Sequence, residues 1–253
     1  MNDLHGLNPE HGFRQYFRLV EADSAELQAD VFRVRHEVYC EELGFEPARD
    51  NGMEQDEYDA HSLHCLLQRV TSGGEPVGCA RLVLPRPGQP EYPLPFERSC
   101  DTALDRTIID PKKLHRDGIA EISRLAVRPA FRRRKGEEGH AVDLQTRDFG
   151  TKDQPRFPYI PISLYLGAVA LAKRKGINTL FILTEPRLAS HFMQLGVEVK
   201  QIGAPVSHRG IRIPSVMHVD EIEQNMRRIL RPMWKVVNEE LQRGAESEPV
   251  SVA

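Results

Sequence analysis

Charged residues interrupt an apolar segment, residues 119–127, whose composition is otherwise that of a buried strand. The interruptions are Glu121 and Arg124. An ionised side chain in a buried strand is costly unless it is paired or has a function. Two earlier blocks, residues 35–45 and 53–59, also place charges and aromatic rings beside apolar residues. We expect the three blocks to converge on one pocket.

The composition is that of a globular protein, and the length is enough for one large domain or two small ones. The 253 residues are 40% hydrophobic and 28% charged, and the net charge of −3 argues against a nucleic-acid-binding protein. The four cysteines show no CxxC pair and no metal-ligand spacing, so we expect free thiols and a cytoplasmic location. We expect no membrane-spanning segment and no signal peptide, because no apolar stretch is long enough and the N-terminus is polar.

Apolar periodicity predicts an α/β fold. Helices are expected at residues 24–42, 162–175, 186–195 and 220–243, and strands at 13–21, 64–70, 76–84, 119–127, 179–184, 197–202 and 211–219. This order predicts a mixed sheet flanked by helices, with a long C-terminal helix, in one domain over residues 1–243. Residues 244–253 are expected to be disordered, and residues 128–158 to form a long functional loop. No GxGxxG follows the first strand, which argues against a dinucleotide-binding fold.

The two early blocks carry candidate binding residues. Arg35 and Tyr39 lie one turn apart in the first predicted helix and share a face, and Phe45 follows that helix. Asp56 and Asp59 belong to an acidic loop. A solvated helix face and a solvated loop are the simpler interpretations. Alternatively, the two aspartates form a lid over a cationic group and close against neighbouring arginines.

Arg81 lies in a predicted central strand, on the same face as Cys79 and Val83. It is therefore either paired inside the protein or part of a cleft. Glu121 and Arg124 are separated by an odd number of residues, so a regular strand places them on opposite faces. A β-bulge would bring them to one side, and bulges are common beside active sites. Glu121 is the candidate general base, a structural partner of Arg81, or both.

Other patterns exclude common chemistries or leave two interpretations. Ser123 has no surrounding GxSxG and no histidine or aspartate spaced around it, which argues against a serine hydrolase. The histidines form no HExxH or HxxxH pattern, so no metal site is expected. The basic run Arg132, Arg133, Arg134 and Lys135 is either a solvated loop or a site for a phosphate or an acidic partner.

The order and spacing of these blocks are similar to those of the acyl-homoserine-lactone synthases. The motifs are R-x-x-V-Y with L-G-F, then E-x-D-x-Y-D, G-C-A-R-L and E-I-S-R-L-A-V, within residues 31–128. The resemblance implies a fold like that of the GCN5-related N-acyltransferases. The family's conserved charged and aromatic positions match Arg35, Asp56, Asp59, Arg81, Glu121, Arg124, Tyr39 and Phe45.

A sister branch resembles the chain more closely. The lactone synthases usually have Trp where this chain has Phe45, and Phe where it has Tyr39. E-I-S-R-L-x-V followed by F-R-R-R, at residues 121–127 and 131–134, is similar to the N-acyl amino acid synthases and to acyltransferases associated with PEP-CTERM/exosortase systems. This resemblance implies transfer of a fatty acyl group from acyl-carrier protein or acyl-CoA to the amino group of an amino acid or related amine, without a bound cofactor.

The resemblance also suggests roles for residues. Catalysis is expected from Glu121, Arg124 and Arg81. The acceptor is expected to contact Arg35, Tyr39, Phe45, Asp56 and Asp59. The donor is expected to contact Leu125 and Val127, and its phosphopantetheine phosphate or acidic carrier protein to meet Arg132, Arg133 and Arg134. The thioester would enter a gap between the strands at 119–127 and 179–184, above an apolar tunnel lined by Leu164, Leu166 and Phe181.

Three alternatives remain. The first is acyl-homoserine-lactone synthesis from S-adenosylmethionine. The second is an acetyl-CoA-dependent N-acetyltransferase, although residues 133–139 match its glycine-rich phosphate loop poorly because two acids stand where the phosphate would bind. The third is a non-catalytic module that binds acyl chains.

Overall fold

An eight-stranded mixed sheet forms the centre of the structure, a computed structural model that describes residues 9–132 and 158–246. Its strands are β1 (Phe17–Glu21), β2 (Ser62–Arg69), β3 (Glu75–Val83), β4 (Ile119–Val127), β5 (Thr179–Thr184), β6 (Lys200–Gln201), β7 (Val206–Ser207) and β8 (Ile211–His218). They run in the order β1-β2-β3-β4-β5-β8-β6, and β7 pairs with β8. Neighbouring strands are antiparallel except β4 and β5, which are parallel.

Helices cover both faces of this sheet. They are α1 (Pro9–Tyr16), α2 (Ala25–Arg35), α3 (Pro95–Cys100), α4 (Tyr159–Arg174), α5 (Pro186–Gln194), α6 (Val219–Asn225) and α7 (Arg231–Glu246). A π-helical segment, His36–Glu42, continues α2. Single 3₁₀ turns lie at Asp59–His61, Val70–Ser72, Pro111–Lys113, Arg116–Gly118 and Pro129–Phe131.

Helix α4 is the central helix of the larger core. Residues 162–172 are buried without interruption, because the helix lies between the sheet and α7. Gly167 allows its close approach to the sheet, since a Cβ there would lie 2.7 Å from Leu19 Cδ2. Helices α2 and α3 cover the opposite face, where α2 packs on Leu66, Cys79 and Ala126.

The predicted fold class, a mixed sheet flanked by helices, is confirmed. The predicted strand at 13–21 was wrong for residues 13–16, which belong to α1. There Phe13 is fully buried and Arg14 pairs with Glu239 and Glu240 of α7, so contacts with the far end of the chain outweigh local alternation. The predicted strand at 197–202 is reduced to Lys200–Gln201.

The predicted C-terminal helix is two helices, α6 and α7, separated by residues 226–230. Pro232 lies in the first turn of α7, where its missing N–H is tolerated, but it could not lie inside a continuous helix. The backbone at the break packs closely on Gly196, where a Cβ would lie 2.4 Å from the Asn225 carbonyl oxygen. Helix α7 continues to Glu246, past the predicted start of the tail at 244. In the described part of the chain, no helix is long and apolar enough to cross a membrane.

Candidate active site

A β-bulge in β4 brings the charged side chains of that strand together. In the pairing of β3 with β4, Arg81 lies opposite Ser123, while Cys79 lies opposite Ala126, so β4 has an extra residue between these pairs. Arg124 in this bulge has a left-handed backbone, with φ of 51°. The predicted bulge is confirmed, and Glu121 and Arg124 both line one cavity.

Behind the bulge, Arg35 anchors the acidic loop. Its side chain is fully buried at the end of α2 and forms a two-pronged pair with Asp59, at 2.6 Å and 3.1 Å. Its Nε atom donates to Glu54, which is also buried. Arg35 therefore fixes two residues of the loop through hydrogen bonds between charged groups, which are stronger than neutral ones.

Arg81 and Arg124 extend this network towards the cavity. Arg81 Nη1 lies 2.6 Å from Asp56 Oδ1 and 2.9 Å from Asp59 Oδ1, and its Nε donates to Ser123 Oγ at 3.0 Å. Arg124 donates to Glu54 through Nε and Nη2, at 3.3 Å and 3.2 Å, and to Asp56 at 3.2 Å. The acidic loop and the three arginines thus form one buried network of alternating charge.

The network keeps Glu54 and Asp59 ionised. Burial would raise the pKa of Glu54, but Arg35 and Arg124 lower it to about 2. The pKa of Asp59 also falls below its ordinary value, because Arg35 and Arg81 outweigh the effect of burial. Beside them, burial lowers the pKa of His64 to about 4, so this imidazole is neutral near neutral pH. The network is therefore charged and internally compensated rather than a set of free binding groups.

Tyr39 connects the π-helical segment to the bulge. Its hydroxyl donates to the Leu125 carbonyl oxygen at 3.0 Å, and the Arg124 guanidinium lies 5.5 Å from the centre of its ring. Phe45 folds back on this segment through a hydrogen bond from its N–H to the Tyr39 carbonyl oxygen. Both rings line the cavity, as does the bulged part of β4. π-helical turns often occur at functional sites, and here the turn holds two aromatic rings against the charged strand.

Glu121 differs from the other carboxylates because it has no arginine within hydrogen-bond distance among the described residues. Its Oε2 atom accepts a hydrogen bond from the Phe96 N–H at 2.7 Å, and its side chain is buried. Burial raises its pKa to about 8, against the opposing effects of the Phe96 N–H, Arg81 and Arg124. A carboxyl group with this pKa can take up or release a proton near neutral pH, as a general base must.

The cavity lies where β4 and β5 separate. The two strands pair from Ile119–Thr179 to Ile122–Ile182, and no pairing follows. The cavity measures about 140 Å³. Its lining consists of apolar side chains, which form the apolar wall, and of arginine and acidic side chains, which form the charged wall. The apolar residues include Tyr165, Ile182, Leu188 and Phe192, and the polar ones include Arg81, Glu121, Arg124, Glu185, His208, Arg209 and Arg212.

The predicted site residues fall into three groups. Six of them line the cavity: Tyr39, Phe45, Arg81, Glu121, Arg124 and Leu125. The network behind the cavity contains Arg35, Asp56 and Asp59. These residues could therefore influence an acceptor only through Arg81 and Arg124. Val127 is buried in the core on the α4 side, and Arg132 pairs with Glu42. Arg133 and Arg134 lie outside the described residues.

The predicted tunnel lining was wrong. Leu164 and Leu166 are buried in the core around α4, and Phe181 stacks on Phe96 at 4.4 Å on the other face of the sheet. The apolar wall is formed instead by Tyr165 and Phe192, whose rings stack at 4.3 Å. Alternation along β5 could have indicated which of its residues face the gap. The choice between the faces of α4 could not be made from sequence, because both faces are apolar.

Sequence reasoning also missed residues of the charged wall. Glu54, the first residue of the E-x-D-x-Y-D motif, had no predicted role, but it pairs with both Arg35 and Arg124 in the network. Glu46 accepts hydrogen bonds from both Arg124 and Arg209. Arg209 and its neighbours come from the β7–β8 hairpin, nearly ninety residues after the bulge, and no motif marks them.

The fold is like that of the GCN5-related N-acyltransferases (GNAT). Residues 34–141 match the family described as "Acetyltransferase (GNAT) domain". None of the curated proteins is similar to the chain in sequence at a significant level.

Several solved structures share this fold over most of the chain. TofI, in a ternary complex with an inhibitor and MTA, is 23% identical, with a TM-score of 0.58 over 87% of this chain and 99% of TofI. BjaI, a CoA-dependent acyl-homoserine lactone synthase with SAM and isopentyl-CoA, is 18% identical, with a TM-score of 0.55 over 88% of each chain. FeeM, an N-acyl amino acid synthase from uncultured soil microbes, is 14% identical, with a TM-score of 0.53 over 83% of this chain and 94% of FeeM. The fold is thus that of the synthases that the sequence motifs resemble.

Proposed function

We propose that the protein is an N-acyltransferase that moves an acyl group from acyl-carrier protein or acyl-CoA to the amino group of an amino acid or related amine. The observation that carries this proposal is the position of Glu121. It is a buried carboxyl group, with a pKa raised to about 8, on the wall of a cavity that both apolar and charged side chains line. Acyl transfer to an amine requires both a proton acceptor and an apolar site for the acyl chain.

In the proposed reaction the acceptor enters as an ammonium ion and must lose a proton before it can attack. Glu121, directly or through a water molecule, takes this proton. The neutral nitrogen then forms a bond to the thioester carbonyl carbon, and the carbon–sulfur bond breaks. The thiolate leaves and takes up the second proton from nitrogen, so the products are an amide and a free thiol. A backbone N–H between Leu125 and Val127 stabilises the oxyanion.

The charged network positions this chemistry. Arg124 is held by Glu46, Glu54 and Asp56, and its left-handed backbone lies in the bulge, before β4 pairs with β3 again at Ala126 and Val127. A backbone in this region costs about 1–3 kcal/mol and persists only where its surroundings hold it. The network therefore maintains the bulge, and the bulge leaves backbone groups of β4 beside the gap for the thioester.

The apolar wall limits the acyl chain. A cavity of about 140 Å³ is comparable to one of about 150 Å³ that binds benzene, so it holds only a short acyl segment without rearrangement. Phe192, which lines the cavity, is buried and stacked on Tyr165. We infer that a longer acyl chain is accommodated when the Phe192 ring or helix α5 moves.

Two other functions keep specific support. The structures similar to this chain include lactone synthases, and one of them holds SAM and isopentyl-CoA. The family match is to an acetyltransferase domain. We favour the N-acyl amino acid synthase because of the E-I-S-R-L-x-V and F-R-R-R motifs, which also resemble acyltransferases of PEP-CTERM/exosortase systems.

The deciding experiment incubates the protein with acyl-carrier thioesters and acyl-CoAs of several lengths, together with amino acids or S-adenosylmethionine, and identifies products by mass spectrometry. An N-acyl amino acid is the expected product. A lactone, or an acetylated amine from acetyl-CoA alone, would establish one of the alternatives. The Glu121→Gln variant should lower turnover by about 10²–10⁴, the usual contribution of a general base, while donor binding is retained. Unchanged turnover would remove the base role from Glu121.

A further inference from the structure

The tight turn between β7 and β8 holds Arg209 in an unusual conformation at the cavity. Arg209 has φ of 52°, a region that residues other than glycine rarely adopt. The turn is fixed by a hydrogen bond from the His208 N–H to the Gly210 carbonyl oxygen at 2.8 Å, and by one from Arg212 Nη2 to the Arg209 carbonyl oxygen at 3.1 Å. Strained backbone of this kind is concentrated at ligand sites.

The guanidinium of Arg209 donates fewer hydrogen bonds than the guanidinium groups of the other arginines of the site. Arg81 donates to two aspartates and to Ser123, and Arg124 donates to three carboxylates. Among the described residues, Arg209 donates from its guanidinium to Glu46 alone. It has five N–H groups, so it has the capacity to bind a second carboxylate with a two-pronged geometry.

Arginines outnumber carboxylates among the side chains that line the cavity. Arg209, Arg124 and Arg212 are three of these arginines, and Arg212 pairs with Glu185 at 2.8 Å. The pKa of Arg209 is lowered mainly by burial and, to a smaller extent, by the positive charge of Arg124. The pKa of His208 is lowered mainly by burial and, to a smaller extent, by the positive charges of Arg209, Arg124 and Arg212. An anion that enters the cavity therefore relieves repulsion between these cations.

Glu46 shows that a carboxylate fits between the two guanidinium groups. Its Oε1 atom accepts a hydrogen bond from Arg124 Nη2 at 3.0 Å and another from Arg209 Nη2. The same two arginines line the cavity that Glu121 lines. A molecule that carries both an ammonium and a carboxylate group finds a proton acceptor and an anion site on one cavity wall.

We propose that Arg209 binds the carboxylate of the acceptor, so that the acceptor is an amino acid with a free carboxylate rather than a simple amine. This inference rests on the proposed function and names the chemical class of its acceptor. Arg124 supports the site through the shared Glu46, and Arg81, whose Nε and Nη1 are engaged by Ser123, Asp56 and Asp59, is not the carboxylate ligand.

The test replaces Arg209 with asparagine, because asparagine tolerates the left-handed backbone and the turn should be preserved. Free amino acids and their C-terminal amides are compared as acceptors. For wild type, the free acids should be preferred. The Arg209→Asn variant should raise KM for the free acids by roughly 10- to 100-fold, as expected for a lost hydrogen bond between charged groups, and leave KM for the amides nearly unchanged. The Arg209→Lys variant should restore part of the preference.

The matched control is Arg228→Asn, which removes the same charge at an exposed turn outside the cavity. This variant should leave KM unchanged for both the free acids and the amides. Equal losses for acids and amides, or no loss for acids, would overturn the proposal. Wild type with no preference for acids would also overturn it. If wild type acylates no amine, the proposed function fails separately, and ligand-observed NMR of the same free acids and amides still decides whether Arg209 binds a carboxylate.

Discussion

The Glu121→Gln substitution should change how the stability of the protein depends on pH. Burial raises the pKa of Glu121 from an ordinary value of 4.5 to about 8. A carboxyl group with a raised pKa stabilises the folded state at low pH, and this contribution is lost as the pH rises towards the folded-state value. Between pH 5 and pH 8, ionisation of Glu121 should therefore cost wild type about 3–4 kcal/mol of unfolding free energy.

Glutamine does not ionise, and its side-chain oxygen can still accept the hydrogen bond from the Phe96 N–H. The difference in unfolding free energy, variant minus wild type, should thus grow by about 3–4 kcal/mol from pH 5 to pH 8. Urea denaturation of both proteins at the two pH values measures it, and the effects of all other titrating groups cancel. The Glu198→Gln variant is the control, because it removes an exposed carboxylate and measures the effect of losing one negative charge at the surface. A difference that stays within about 0.5 kcal/mol across this range would refute the assignment of a raised pKa to Glu121.

Three further predictions follow from the network, the apolar wall and the basic run. Asp59→Asn breaks buried pairs with two arginines and should lower the unfolding free energy by about 3–5 kcal/mol in urea; a loss below about 1 kcal/mol would show that the pairs are solvated. Phe192→Ala should shift the preferred donor to longer acyl chains in a competition assay, and an unchanged chain-length profile would place the acyl chain elsewhere. Replacing Arg132, Arg133 and Arg134 with alanine should raise KM for acyl-carrier protein, most strongly at low salt; an unchanged KM would assign the run to solvent.

The convergence of the charged blocks was predictable because charge in an apolar strand needs a partner. Glu121 and Arg124 interrupt a strand, so each required a compensating group within the fold. For Arg35 the sequence favoured a solvated helix face, which was wrong, because its side chain is buried against Glu54 and Asp59. The sequence left a regular and a bulged strand open. Only an irregular strand places both charges of β4 on the side of the acidic loop, and the structure has that irregularity at Arg124.

The second half of the site was not predictable in the same way. Arg209 approaches Glu46 because β8 pairs with β5 and carries the hairpin to the gap, and strand order across a sheet is not encoded by local periodicity. Tyr165 faces the cavity although its neighbours on α4 are equally apolar. Its position is decided by the packing of α4 on the sheet and by the ring of Phe192.

The most direct test is to measure thiol release and amide formation in the same reaction. This measurement shows whether the protein transfers an acyl group from a thioester to nitrogen. The cysteines of the chain, Cys40, Cys65, Cys79 and Cys100, are all buried, so a thiol reagent should report mainly the product thiol. The account predicts that thiol and amide appear in equal amounts, only when donor and amino acid are both present, and much more slowly with Glu121→Gln. Thiol release without amide, or equal rates for the two proteins, would contradict it.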